Sequence, residues 1–110
     1  MAQSYLIFDF GTNEETAQQA RHRIEGWKQA FRLGEKIQLK FERQEPEKKN
    51  GGERIRLLVR LDFSDHERLS HQRWLARIPS EAPFKDASPQ VIRSGEADFD
   101  RTAEFFDSLT

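Results

Sequence analysis

The chain has no cysteine, so disulfides, thiolate metal sites and cysteine nucleophiles are all excluded. The same absence points to a reducing, cytoplasmic setting. No run of 18 apolar residues occurs, so no membrane span and no membrane partner are expected. Met1-Ala2-Gln3-Ser4 has neither a basic nor an apolar leader region, so no signal peptide is expected. Glycine and proline are too few and too scattered to make a linker, and there is no repeat or low-complexity tract. One domain over residues 1–110 is the reading that this length allows.

Neither sign of charge dominates: 18 Lys and Arg face 19 Asp and Glu, for a net charge of -1. Hydrophobic residues make up only 35% and charged residues 34%, a balance that would suit a disordered chain. Nine Phe, two Trp and one Tyr argue for a packed core instead, because disordered segments are poor in aromatics. The charge is unevenly spread. Residues 36–63 hold eight basic and five acidic side chains, whereas residues 95–110 hold one basic and five acidic. The middle is mildly basic and the last segment is acidic.

Tyr5-Leu6-Ile7-Phe8-Asp9-Phe10 reads as a first strand, with Leu6, Phe8 and Phe10 on one side and Tyr5, Ile7 and Asp9 on the other. Thr12 to Glu15 reads as a capping box. Ala17, Ala20, Ile24, Trp27 and Phe31 then recur at steps of three and four, which predicts a helix over 13–33 with all five in the core, ended by Gly34. Ile37, Leu39 and Phe41, and Ile55 through Phe63, alternate with polar residues and predict two amphipathic strands. Asn50-Gly51-Gly52 joins them as a hairpin. Matching their apolar faces demands an even register sum, and a sum of 100 would set Phe41 opposite Val59 and Leu39 opposite Leu61. Pro46 predicts that the first of these strands lies at a sheet edge.

Ser64 to Glu67 is a second capping box, ahead of a helix over 65–78. Residues 79–89 form a loop from which Phe84 returns to the core. Gln90 to Ser94 is a weak strand, and Phe99, Ala103 and Phe106 share the stripe of a last helix. The order β-α-β-β-α-β is the split βαβ pattern. It predicts a two-layer, ferredoxin-like α+β sandwich with an extra C-terminal helix, the first and third strands being central and parallel. That architecture hosts many functions, so function must be argued from a site.

No catalytic constellation is visible. His66 and His71 are five apart, which turns their rings away from one another and rules against a zincin-type metal pair. There is no Gly-x-Ser-x-Gly turn and no phosphate loop. Asp9 and Asp62 are lone carboxylates. The expectation is a non-enzymatic domain with no cofactor and no metal.

The face of the sheet turned away from the two long helices is the predicted functional surface. It would carry Lys36, Lys40, Arg54, Arg56 and Arg60 around Tyr5, Ile7 and Leu58. The leading expectation is a protein-interaction or self-associating module, two copies packing there as a homo-oligomer. The alternative is nucleic-acid binding through the same basic face. RNA-recognition domains use this face, but with outward aromatics on the third strand, and Arg54 to Arg60 supplies none. A second alternative is a small-molecule binder or enzyme with a helix–sheet cleft lined by Trp27, Trp74, His71 and Phe84. The acidic last segment favours self-association, since it would repel a polyanion or compete for the basic face.

Overall fold

Period-two patterning becomes sheet and helical periodicity becomes helix, in the expected order. The structure is a computed structural model that describes residues 2–44 and 54–109. β1 spans Ala2–Asp9, α1 Glu14–Ala30, β2 Ile37–Gln44, β3 Arg54–Phe63, α2 Arg68–Ser80, β4 Gln90–Arg93 and α3 Phe99–Ser108. Short 3-10 turns cover Gly34–Lys36, Asp65–Glu67 and Phe84–Asp86. The result is an α+β domain whose four strands form one antiparallel sheet in the order β2-β3-β1-β4. β1 and β3 are the central strands, but they run antiparallel rather than parallel. The crossover through α1 returns β2 in the direction of β1, and the β2–β3 connection then reverses the chain.

The β2–β3 register differs from the expected one by a single pleat repeat. Leu39 opposes Val59 and Phe41 opposes Leu57, a sum of 98 instead of 100. The step of two keeps every side chain on its own face, which is all that the alternation could specify. β2 is an outer strand of the sheet. The Pro46 and Asn50-Gly51-Gly52 assignments lie outside the described residues.

The helix boundaries follow local chemistry. Asn13, not Thr12, caps α1, its side chain accepting from Thr16 N–H at 3.0 Å. Asn caps at least as well as Thr, and Gly11 at φ +59° closes the turn that places Asn13 at the helix mouth. At the other end α1 stops three residues early. Arg32 takes the left-handed conformation at φ 54°, and Leu33 N–H reaches back to the Lys28 carbonyl at 2.9 Å while Arg32 N–H reaches Gln29. This Schellman turn folds Leu33 into the core. Phe31, expected in the core, is left 54% exposed. The capping box at Ser64 and Glu67 forms as read. Pro79 sits inside the last turn of α2 rather than ending it at residue 78.

The main core lies between the sheet and α1 and α2. Leu6, Phe8, Ile24, Ile37, Ile55, Leu57, Val59 and Leu61 are buried there, with Leu39 and Phe41 half-buried against them. Phe84 packs on Phe8 and Trp27, with ring centroids 5.0 and 5.9 Å apart. A second, smaller core lies on the opposite face, where α3 covers Tyr5, Leu58 and Ile92.

Replacing Leu57 by Ala is expected to cost about 2–5 kcal/mol, the range for large-to-small changes in a packed core. Phe31→Ala is expected to cost less than about 1 kcal/mol, as a mostly solvated side chain should. Urea midpoints of the two variants check both, and equal losses would contradict the burial difference.

Candidate functional site

The position of α3 accounts for Tyr5, Ile7, Leu58, Lys40 and Arg60 of the predicted site. The apolar stripe of that helix seats Phe99, Ala103 and Phe106 on the sheet. Tyr5 meets Phe99 and Phe106 with ring centroids 5.4 and 5.7 Å apart, and Ile7 packs at the margin. Tyr5 and Leu58 are each 1% exposed. The open patch predicted at Tyr5, Ile7 and Leu58 is therefore covered by the chain itself. A sheet with apolar side chains at the middle of both faces needs a layer on each side.

The basic residues around that patch are engaged within the chain. Lys40 donates to the Phe106 carbonyl at 3.0 Å, and its ammonium lies 4.7 Å from the Phe106 ring centroid. Arg60 pairs with Asp107 at 3.1 Å, donates to Gln38 and lies 4.8 Å from the same ring. Two cations thus meet the C-terminal end of α3, where the helix dipole is negative. Arg56 pairs with Glu42, its directly opposed cross-strand neighbour. Arg54 pairs with Asp9 at 2.6 Å. Lys36 sits in the 3-10 turn before β2 and pairs with Glu67. The acidic last segment competes for the basic face, as its charge suggested, through Asp107 on Arg60.

The two lone carboxylates are likewise occupied. Asp9 accepts from Gly11 N–H at 2.8 Å besides holding Arg54, and Asp62 accepts from Gln3 at 3.3 Å. Of the cleft expected among Trp27, Trp74, His71 and Phe84, the part at Trp27, Trp74 and Phe84 is filled by its own rings, and His71 lies apart against Phe63. Trp27 packs at a tilt against Trp74 and Phe84, with ring centroids 5.5 and 5.9 Å away.

Two surfaces lie outside the predicted sheet face, and they divide between them Trp74 and His71 of the predicted helix–sheet cleft. The first is a groove of about 390 Å³ between the end of α1 and α2. Buried Leu33 and Phe63 and the largely buried Trp74 form its floor, and Phe31 stands over Trp74 edge-on at 5.3 Å. Lys36, Arg73 and Arg77 are its cations. The Arg77 guanidinium lies 5.3–5.9 Å from the Trp74, Trp27 and Phe31 rings. The Lys36 ammonium, then the Ser64 hydroxyl and N–H, hold the Glu67 carboxyl below the usual carboxylate range. Leu69, one helical turn from Arg73, is 73% exposed. The spacing of Ser70, Arg73, Trp74 and Arg77 puts them on one stripe of α2. That spacing was the available signal.

The second surface surrounds His71, which is 9% exposed and packs on Phe63 with ring centroids 5.7 Å apart. Its Nε2 is buried with no hydrogen-bond partner among the described residues. Burial, then the charge of Arg93, push its pKa down from the ordinary 6.5, against an upward pull from Asp62.

No family model matches the chain, and no curated protein matches it. Among solved structures a de novo designed protein, Foldit4, is similar at a TM-score of 0.46 and 18% identity, over 87% of this chain and 99% of that one. A likeness this distant bears on no residue of either surface.

Leu58→Glu is expected to destabilise the fold by about 3–5 kcal/mol, the cost of an uncompensated buried charge. Because the contact with α3 is intramolecular, the loss in urea midpoint should be the same at every protein concentration. A concentration-dependent loss would restore the open-face interpretation. For His71, the unfolded chain takes up a proton below about 6.5 that the folded chain resists. Stability should therefore fall as the pH drops through about 6.5, and His71→Leu should remove that component of the decline. An unchanged slope in the variant would show that His71 titrates alike in both states.

Proposed function

We propose that the chain is a non-enzymatic, cytoplasmic protein-interaction module, a ferredoxin-like sandwich with an added C-terminal helix, that takes its partner in the Phe31–Trp74 groove. The observation that carries this reading is the exposure of Phe31 and Leu69 beside Arg73, which makes no ion pair with any described residue. Exposed apolar side chains beside Trp and Arg are the composition of binding hot spots. The sheet face is a poorer choice, because a partner there would have to displace α3 and its anchoring contacts.

The chemistry of the groove specifies the partner. Its floor is apolar, and with Lys36 paired to Glu67 and Arg77 to Glu81 at 3.6 Å, Arg73 is the groove's cation without an ion pair among the described residues. An acidic segment with a Phe or Leu anchor would complement both features. The chain carries such a segment itself in residues 95–110, with five acidic and one basic side chain and three Phe. Phe105 in that segment is 36% exposed. A second copy is thus one partner that fits, and this keeps self-association within the reading. Nucleic acid is the competing occupant, since aromatic rings and arginine also stack on bases.

The test is fluorescence anisotropy with a labelled synthetic peptide of residues 95–110, alongside a single-stranded oligonucleotide. Saturable peptide binding that weakens with salt, is lost in Arg73→Glu and falls in Phe31→Ala supports the proposal. Sedimentation of the wild type near 26 kDa, twice the 13.0 kDa chain, with Arg73→Glu returning it to 13.0 kDa, supports the second-copy form. Tighter binding of the oligonucleotide, or peptide binding indifferent to Arg73→Glu, overturns it.

A further inference from the structure

A pocket of about 450 Å³ opens between α2 and the outer strand β4, beside the end of β1. It is separate from the Phe31–Trp74 groove, with which it shares no lining residue. Its lining is unusual for a chain this rich in acids. Arg93 and Ser94 come from β4 and the turn after it, and His71 and Gln72 from α2. Leu75 and Ala76, one helical turn further along, supply an apolar wall. Among the described residues no Asp or Glu lines it.

Arg93 is exposed, and its guanidinium forms no ion pair or hydrogen bond with any described residue, its backbone carbonyl alone accepting from Glu96 N–H at 3.1 Å outside the sheet ladder. The cross-strand register puts it opposite Ser4, on the sheet face that α2 covers, so its fork of N–H donors can turn toward the pocket. Beside it, burial and the charge of Arg93 disfavour protonation of His71, and its buried Nε2 has no partner among the described residues. The groups that act on the ring are Arg93 from β4 and Asp62 from β3. One unpaired guanidinium, a hydroxyl and an amide above an apolar wall make a donor-rich site for an oxyanion with a hydrocarbon body.

We infer that this pocket binds the carboxylate of a small aliphatic organic acid, with Arg93 taking the carboxylate and Leu75 and Ala76 packing on the chain. A single guanidinium balances a monoanion. A phosphate dianion would keep one negative charge uncompensated, with Asp62 adding to it through the sheet. An anion beside Arg93 also offsets the charge that Arg93 exerts on His71, so ligand binding and His71 protonation are linked in both directions.

The experiment is an NMR titration of the full chain with hexanoate, with acetate and inorganic phosphate in parallel, following the His71 ring signals. Hexanoate should move those signals saturably and raise the titration midpoint of His71, and acetate, which lacks the hydrocarbon body, should bind more weakly. Arg93→Met should lose about tenfold or more in affinity, as loss of a charge-assisted hydrogen bond does. Its urea midpoint should be unchanged, and Arg93→Lys should keep part of the binding. Hexanoate without effect on His71, or equal affinity in Arg93→Met, would overturn the site. Phosphate binding more tightly than hexanoate would overturn its assignment to a carboxylic acid.

Discussion

Leu57, Leu58 and Val59 stand in succession at the middle of β3, and all three are buried. Because successive side chains on a strand point to opposite faces, this triplet makes the sheet apolar on both sides. The rest of the architecture answers that condition. Leu57 and Val59 are covered by α1 and α2, and Leu58, with Tyr5 and Ile92, by α3. The acidic last segment therefore closes a second core that a two-layer sandwich would leave wet.

Closing that core also decides where charge can act. Lys40 and Arg60 meet the carbonyl end and ring of Phe106, Arg60 holds Asp107, and Arg56 and Arg54 hold carboxylates of the same sheet. Exposed ion pairs of this kind contribute little individually to stability. Their effect here is to leave the basic face with little uncompensated charge. The cations without ion-pair partners among the described residues include Arg73 and Arg93, and these sit in the cavities on the two flanks of α2, one beside exposed Phe31 and one beside buried His71. Function is accordingly read from the helical side, where apolar surface and unpaired arginine coincide.

The elements and their faces were legible in the sequence because they rest on local periodicity. Ile37, Leu39 and Phe41 alternate, Ala17 to Trp27 recur at helical spacing, and Ser64 with Glu67 closes a capping box. The departures have local reasons too. An even register sum preserves the faces whether it is 98 or 100, so alternation cannot choose between them. Phe31 continues the stripe of α1, yet the left-handed turn at Arg32 delivers Leu33 to the core in its place. Nothing in an apolar pattern says which of two nearby hydrophobic residues the chain will turn inward.

The sequence by itself determined an α+β chain, the burial of one face of each strand, an amphipathic acidic last helix and the lack of thiol chemistry. Those follow from residue type and spacing within a few turns of chain. Only the tertiary structure decided that α3 docks on the face of Tyr5 and Leu58, and that the basic residues there are spent on Phe106, Asp107 and Glu42. It also decided that Arg73 joins Phe31 and that Arg93 joins His71. Each of these pairings joins residues on different elements, and periodicity carries no information about which elements will meet.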